Sequence, residues 1–295
     1  MSLRDPYPTI VPSQVRNVGQ APFWTPGETV TWTFRRFDFD RDRAEVARPM
    51  RVIADGPQGT ALWLAGGTPT QETRVVGWED TNPHDVPLAA RFRPLAEAPT
   101  RINVEGTWRG RGVLKIVPPA VPFSVWVLLK DVSDGAGHGA DGTEPGGVRT
   151  EWYINLEATH RRTKDALFTS DHILDITFPV ESAPLHSSGG LDPNGAVFKD
   201  VDELAAAANF GAWPEEWSDI IRSNGSHLLD HLGDFSWALD PAWEAVARDL
   251  ADETTPLTGD DATSIARLGA ASVREKSFVQ EHRAIPNGCY DRHHR

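Results

Sequence analysis

The sequence predicts a mainly β protein with C-terminal helices, an α+β fold in which an antiparallel β-barrel-like core is flanked by α-helices. Short runs rich in β-branched and aromatic residues recur through the first 200 residues, and turns that contain Gly or Pro separate them. No segment of helical periodicity lies between these runs, which excludes the alternating strands and helices of a parallel Rossmann-type sheet. Beyond residue 200, apolar residues recur at helical spacing instead.

The first strand is predicted at residues 28–34, where Thr, Val, Trp and Phe follow a Pro26-Gly27 turn signal. Runs of similar composition predict further strands along the chain, and the last of these is short. They span residues 50–54, 61–65, 113–117, 124–130, 150–156, 172–180 and 196–199.

Three helices are predicted after the strands. Residues 201–209 are rich in alanine, whereas 215–232 and 241–250 carry apolar residues at helical spacing. Gly-rich segments at 133–148 and 182–195 predict two long loops.

The chain divides into three parts on this interpretation. Residues 1–22 lack periodicity and are expected to form a flexible, loosely packed N-terminal arm. Residues 23–250 form the predicted domain, and residues 251–295 are a polar C-terminal extension with one amphipathic stretch near 263–273.

Composition limits the classes of partner. A chain of 295 residues with 39% hydrophobic residues can bury a sizeable core. The net charge of -13 argues against a nucleic-acid polymer as partner, because such binding relies on clustered Lys and Arg. The single cysteine, Cys289, the absence of an apolar signal segment and the absence of a long apolar run predict a cytoplasmic protein without a membrane partner. The oligomeric state stays open.

Five side chains with oxygen donors form the most informative feature of the sequence. Carboxylate and amide oxygens are the ligands that Mg²⁺ and Mn²⁺ prefer, and phosphate oxygens readily complete the coordination of such ions. The sequence therefore indicates a metal-dependent enzyme that acts on phosphate groups. The five residues are Asn155, Asp171, Asp175, Asp200 and Glu203.

Each of these residues also has a structural explanation. Asp171 and Asp175 share one face of the predicted strand, but their Cα atoms would stand about 13 Å apart in a regular strand. One cation can bridge them only if the strand bends or Asp171 lies in the preceding turn. Otherwise they would serve two metal positions, or one would ligate a metal and the other would lie behind the ligands. A solvated strand face would equally explain both carboxylates, and Asn155 could end a strand. Asp200 and Glu203 stand three apart at a helix start, where acidic residues often cap the helix or compensate its dipole.

Basic residues lie between these candidates in the sequence. Arg161, Arg162 and Lys164 could bind a phosphate through charge-assisted hydrogen bonds, or they could form a solvated loop. Arg35 and Arg36, near the end of the first strand, are open to the same two interpretations.

The chain resembles a known family, the FomD-like nucleotide phosphatases. This family includes nucleoside tri- and diphosphate phosphatases and the cytidylyl-hydroxypropylphosphonate hydrolase of fosfomycin biosynthesis. The motifs that carry the resemblance lie between residues 24 and 204. They are Trp24-Thr-Pro-Gly-Glu28, Ala61-Leu-Trp-Leu-Ala65, Gly67-Thr-Pro69, Phe123-Ser-Val-Trp-Val-Leu128, Trp152-Tyr-Ile-Asn-Leu-Glu157, Arg161-Arg-Thr163, Thr169-Ser-Asp-His-Ile-Leu-Asp-Ile176 and Lys199-Asp-Val-Asp-Glu-Leu204.

The resemblance implies a β-barrel-like core, a divalent metal (Mg²⁺ or Mn²⁺) and hydrolysis of a phosphoanhydride or phosphonate–nucleotide linkage. It also implies metal ligands at the five oxygen-bearing residues named above. Tyr153 and Lys164 are expected as catalytic donors, and Arg161 and Arg162 as substrate-binding residues. Some relatives carry an Asp where this chain has Ile173, so the number of metal positions stays open.

The functional hypothesis is a metal-dependent hydrolase with a nucleotide or nucleotidyl small molecule as substrate. Two alternatives belong to other classes. One is a non-catalytic β-barrel module that binds a nucleotide or phosphate ligand. The other is an interaction protein in which the eleven tryptophans form core and the acidic residues are solvated.

Overall fold

A computed structural model describes residues 3–7, 9–131, 148–178 and 191–253. Most of the predicted loops at 133–148 and 182–195 and the extension beyond residue 253 lie outside these residues. The amphipathic stretch near 263–273 lies outside them as well.

Thirteen strands in the described residues belong to one sheet. Every strand predicted from the sequence is present, and five strands were not predicted: the first, fifth, sixth, tenth and eleventh. The strands are β1 (Arg16–Asn17), β2 (Thr29–Phe34), β3 (Val46–Gly56), β4 (Gly59–Ala65), β5 (Pro69–Val75), β6 (Arg101–Thr107), β7 (Gly112–Val117), β8 (Phe123–Asp131), β9 (Val148–Glu157), β10 (Arg161–Arg162), β11 (Ala166–Thr169), β12 (Asp171–Phe178) and β13 (Val197–Lys199).

The sheet is mixed and does not close, so the predicted antiparallel, barrel-like core is not confirmed. Its strand order is β1-β10-β11-β2-β3-β4-β7-β8-β9-β12-β13, and a β5–β6 hairpin branches from β3. β11 pairs in parallel with β2. This arises because β10 and β11 form a hairpin, and its second strand runs along β2 in the same direction.

The sheet curls strongly about its middle strands. Trp32 on β2 and Trp126 on β8 have ring centroids 6.3 Å apart, although β3, β4 and β7 separate their strands in the sheet. The ammonium of Lys115, on β7, lies between the two rings. We call the concave side that carries these three residues the inner face, and the opposite side the outer face.

Helices cover the outer face. Ile221 and Leu228 of the second long helix join Phe123 and Ile154 of the sheet in one hydrophobic core. The three predicted C-terminal helices are confirmed, and two single-turn helices lie in earlier connections. No helix of the described segments is long and apolar enough to cross a membrane. The helices are α1 (Phe39–Asp42), α2 (Leu88–Arg91), α3 (Val201–Asn209), α4 (Glu215–Asp230) and α5 (Ala242–Glu253).

Tyr7 and Val18 of the N-terminal segment, which was expected to form a loosely packed arm, are buried against the domain. Tyr7 is only 5% exposed, and its ring lies 4.7 Å from that of Trp217 on α4. Its hydroxyl donates to the main-chain carbonyl of Asp171 at 2.6 Å. Val18 is also buried. An aromatic anchor in an otherwise polar stretch accounts for this packing.

Candidate active site

The candidate site lies on the inner face, where β9, β12, β13 and the start of α3 meet. The alternation predicted for β9 is confirmed, because Trp152 and Ile154 enter the outer-face core while Tyr153 stacks on Trp126 of the inner face. Asn155 follows Tyr153 on that face, since side chains two residues apart share one side of a strand.

A register shift in β12 brings the two predicted carboxylates together. Asp171 pairs with Glu157 and Asp175 pairs with Asn155, so four steps along β12 match only two along β9. Ile173, inside the shift, has a φ of 73°, and its N–H donates to Asp171 Oδ1 at 2.6 Å. Two steps along β9 span about 7 Å, compared with about 13 Å for four regular steps. The bend that a shared cation requires is therefore present.

The two carboxyl groups are held in an environment that opposes their ionisation. Burial raises the pKa of Asp171 to about 6. Burial and the neighbouring Asp171 raise the pKa of Asp175 well above its ordinary value. A cation bound beside two buried carboxylates offsets the cost of burying their negative charges and the repulsion between them. Such a pair therefore favours cation binding.

Tyr153 contacts one of these acids directly. Its hydroxyl donates to Asp175 Oδ2, and its ring stacks on Trp126 with a centroid distance of 5.5 Å. Burial and the adjacent Asp175 raise the pKa of the phenol above its ordinary value. Tyr153 therefore stays protonated and acts as a hydrogen-bond donor.

Asn155 presents an acceptor that has no partner among the described residues. The residue is 7% exposed, and its Oδ1 is buried and receives no hydrogen bond from the described residues. Leaving a buried amide oxygen unpaired costs about 1–3 kcal/mol. Such an oxygen fits a position that faces a ligand or a cation.

Asp200 and Glu203 lie at the start of α3, as predicted, but each is paired with a side-chain cation. Lys199 Nζ lies 2.7 Å from Asp200 Oδ2 and 3.7 Å from Asp175 Oδ2. Both oxygens of Glu203 accept from Arg91, at 2.7 and 2.5 Å. Asp200 occupies the N-cap position of α3 with a φ of 62°, yet its side chain makes no capping hydrogen bond.

Three cations of the site were not assigned to it from the sequence. Lys199 and Arg91 are paired as described, and Arg36 lowers the pKa of Asp171 in opposition to burial. Arg36 also donates to the carbonyl of Arg91 at 3.4 Å. Arg91 is 112 residues from Glu203, so only the fold reveals their contact. Of these three cations, only Arg36 was considered from the sequence as a possible phosphate ligand.

The basic run at 161–164 has other partners. Arg162 is fully buried, with Nη1 at 2.7 Å from Asp55 Oδ1 and its guanidinium stacked on Trp24, so it is not available to a phosphate. Arg161 donates to Asn17. Lys164 is exposed, and its carbonyl accepts from Trp24 Nε1. The structure brings this run together with β1 and the segment after it, and not with the carboxylates.

Arg35 is likewise used in packing. It forms a buried ion pair with Glu45 at 2.7 Å, and its guanidinium lies over the ring of Phe39.

The donor set fits a hard divalent cation in its chemistry. Its members are carboxylates and one orphaned amide oxygen, and burial raises the pKa of two of the acids. In the described residues, however, no three His, Cys, Asp or Glu side chains are grouped closely enough to hold a metal ion. Lys199 and Arg91 are the groups that neutralise the acids as they stand.

The chain has relatives of known activity. It is 27% identical over 210 residues to the cytidylyl-2-hydroxypropylphosphonate hydrolase of Streptomyces fradiae, which covers 71% of this chain and 81% of that protein. The hydrolase of the same name from Streptomyces wedmorensis is 27% identical over 201 residues, with 68% and 77% covered. The chain is similar to these FomD-like hydrolases. The resemblance found in the sequence motifs is thereby confirmed.

A solved structure of similar fold adds to the comparison. The phosphatase SC4828, crystallised with the non-hydrolysable nucleotide GPCP, has a TM-score of 0.55 and 24% identity, and the match covers 81% of this chain and 97% of that chain. This likeness concerns the fold. No protein-family model matches the chain.

Proposed function

We propose that this protein is a divalent-metal-dependent hydrolase that cleaves phosphate linkages of nucleotides. Its substrate would be a nucleoside di- or triphosphate or a related nucleotidyl phosphonate. The register shift in β12 supports the proposal, because Asp175 pairs with Asn155, whose Oδ1 has no hydrogen-bond partner in the described residues, and Asp171 pairs only two residues further along β9. The activity in the names of the two Streptomyces relatives supports the same chemistry.

Five residues would hold Mg²⁺ or Mn²⁺: Asn155, Asp171, Asp175, Asp200 and Glu203. When bound, such an ion offsets the charge of phosphate oxygens and lowers the pKa of a water molecule that it coordinates.

The remaining groups of the site act on the substrate or on the ligands. Tyr153 orients Asp175 through its hydroxyl. Arg36, Arg91 and Lys199 supply positive charge around the carboxylates, where a polyphosphate would lie. Arg side chains bind phosphate oxygens with two parallel hydrogen bonds, which fixes the orientation of the group. Positioning and charge neutralisation account for most of the catalysis of phosphoryl transfer.

The proposal is tested by measuring phosphate or nucleotide release. The purified protein is incubated with a panel of nucleoside di- and triphosphates and a cytidylyl phosphonate, with Mn²⁺, Mg²⁺ or EDTA. We expect metal-dependent release that Asp175→Asn lowers by a factor of 100 or more, on the order of several kcal/mol of transition-state stabilisation. Asp219→Asn, at an exposed ion pair on α4, is the matched control and should retain activity.

Release that persists in EDTA or in Asp175→Asn would refute the metal site. A binding module is the second candidate, because Lys199 and Arg91 already neutralise the carboxylates without a metal. Tight binding of a nucleotide in EDTA, without release under any condition, would favour that alternative.

A further inference from the structure

Three carboxylates of the site are paired with two side-chain cations of the protein. The guanidinium of Arg91 grips both oxygens of Glu203, and the side chains of this pair are 9% and 14% exposed. The ammonium of Lys199 lies within 3.7 Å of both Asp175 and Asp200. The two side-chain cations therefore offset the negative charge of these acids.

Arg91 lies in a group of arginines with Arg36 and Arg101, and this group carries excess positive charge. Arg36 and Arg101 both bind Asp38, at 3.2 and 3.1 Å, so one carboxylate serves two guanidinium groups. Arg101 Nη2 is buried without a hydrogen-bond partner in the described residues. Burial and the nearby Arg36 lower the pKa of Arg101 to about 10. An additional anion bound at this group of arginines would be stabilised.

A divalent cation and these side chains compete for the same carboxylates. A dication at Glu203 or Asp175 would displace the guanidinium or the ammonium, since like charges at contact distance repel one another. The displaced groups stay tethered a few ångströms away. The guanidinium of Arg91, whose side chain is only 9% exposed, then needs a new anionic partner, because an unpaired buried charge is costly.

We propose that Arg91 and Lys199 exchange partners: they hold Glu203, Asp175 and Asp200 in the metal-free protein, and they bind phosphate oxygens of a nucleotide once a divalent cation takes these carboxylates. This inference rests on the proposed function. The exchange requires reciprocal coupling between the two ligands. If the divalent cation frees Arg91 and so raises the affinity for phosphate by some factor, phosphate must raise the affinity for the cation by the same factor.

Binding measurements test the exchange without turnover. Calorimetry measures the affinity for Mn²⁺ alone in the wild type, Arg91→Gln and Lys199→Gln. We expect both variants to bind Mn²⁺ more tightly, by about fivefold or more for Arg91→Gln, because a competing cation is gone. Arg111→Gln removes an exposed ion pair with Asp131 and should leave the affinity unchanged. Arg91→Lys keeps the positive charge but cannot bind both oxygens of Glu203 in the same way. It replaces Arg91→Gln in the experiment if that variant does not fold.

A second titration uses a non-hydrolysable nucleoside diphosphate with a methylene bridge. Mn²⁺ should raise its affinity for the wild type by about fivefold or more, and this gain should shrink in both variants. Unchanged or weaker Mn²⁺ binding by Arg91→Gln and Arg91→Lys would overturn the exchange. Asp175→Asn separates the two proposals: if it abolishes Mn²⁺ binding while Arg91→Gln leaves it unaltered, the metal site stands and the exchange fails. If the wild type binds no Mn²⁺, both fail.

Discussion

Asp175 has neighbours of three chemical kinds on the inner face. Tyr153 donates a hydrogen bond, Lys199 supplies a positive charge, and Asp171 supplies a negative charge that opposes ionisation. The hydroxyl of Tyr153 fixes the direction of the carboxylate, because its own ring is held against Trp126. A donor of this kind tunes a ligating carboxylate without touching the metal.

Removal of this hydroxyl should weaken metal binding while the fold persists. Tyr153→Phe is expected to lower the Mn²⁺ affinity by about tenfold or more, as the loss of a partner behind a metal ligand does. Calorimetry measures the affinity, and circular dichroism monitors folding. Lys164→Gln is the control, because Lys164 is exposed and its side chain has no described contact with the carboxylates. Equal affinities in the two variants would show that Tyr153 does not position Asp175.

The sequence predicted the acidic half of the site better than its basic half. Asp175 could be recognised because a carboxylate inside an apolar strand needs a partner. Arg91 could not, because its contact with Glu203 joins a one-turn helix to a segment 112 residues away. The basic run at 161–164 misled because charge type alone does not reveal that Arg162 is buried against Asp55.

Among the elements, α5 is tied to β9 by one acid. Glu244 accepts from Thr150 and from Trp152 on β9, and from Arg248 one turn along α5. Burial opposes the ionisation of Glu244, but these hydrogen bonds outweigh it and hold the pKa below its ordinary value of 4.5. The ion thus joins the last helix to the strand that carries Asn155.

Glu244→Gln should destabilise the protein in a pH-dependent way. A lowered pKa in the folded state stabilises the protein at pH values above the unfolded-state value of about 4.3, and this contribution is lost as the pH falls through the folded value. We expect the variant to lose roughly 1 kcal/mol of unfolding free energy at pH 7 and less below pH 4. Urea unfolding at both pH values measures the difference. Glu105→Gln, at an exposed position on β6, should show neither effect.

Elements with strong patterns were predicted, and those with weak patterns were missed. β4 and β7 are buried along their whole length, and apolar residues dominate both strands in the sequence, apart from Lys115 on β7. β5 and β6 are polar and half exposed, and they are stabilised by pairing with each other. The register shift in β12 depends on its partner β9, so no local pattern could place Ile173 at a positive φ.

The molecule as a whole is organised by the curl of its sheet. Lys115 lies where the two sides of the curl meet, 3.7 Å from the ring centroids of both Trp32 and Trp126. Its ammonium is buried without a hydrogen-bond partner in the described residues. Burial lowers the pKa of Lys115 well below its ordinary value, and the indole rings offset only part of this cost.

Lys115→Met should therefore raise the stability at neutral pH. Because the folded-state pKa is lowered, the unfolded chain binds the proton more readily, and stability rises with pH up to the unfolded-state value of about 10.4. We expect the free energy of unfolding of the variant to exceed that of the wild type by about 1 kcal/mol or more at pH 7. The difference should narrow towards pH 10. Urea unfolding measures it, with Lys164→Met as the exposed control. A loss at pH 7 would mean that the two indole contacts outweigh the cost of burial.

The docking of the N-terminal segment has a consequence for the order of folding. Asn224 on α4 exchanges hydrogen bonds with the main chain of Arg4 across 220 residues, and Tyr7 reaches the carbonyl of Asp171. Contacts so distant along the chain close late, because the entropy of the intervening loop opposes them. The strand that carries the carboxylates therefore gains its last support only after α4 has been synthesised. During translation, the nascent chain should complete its sheet before it acquires the geometry that its chemistry needs.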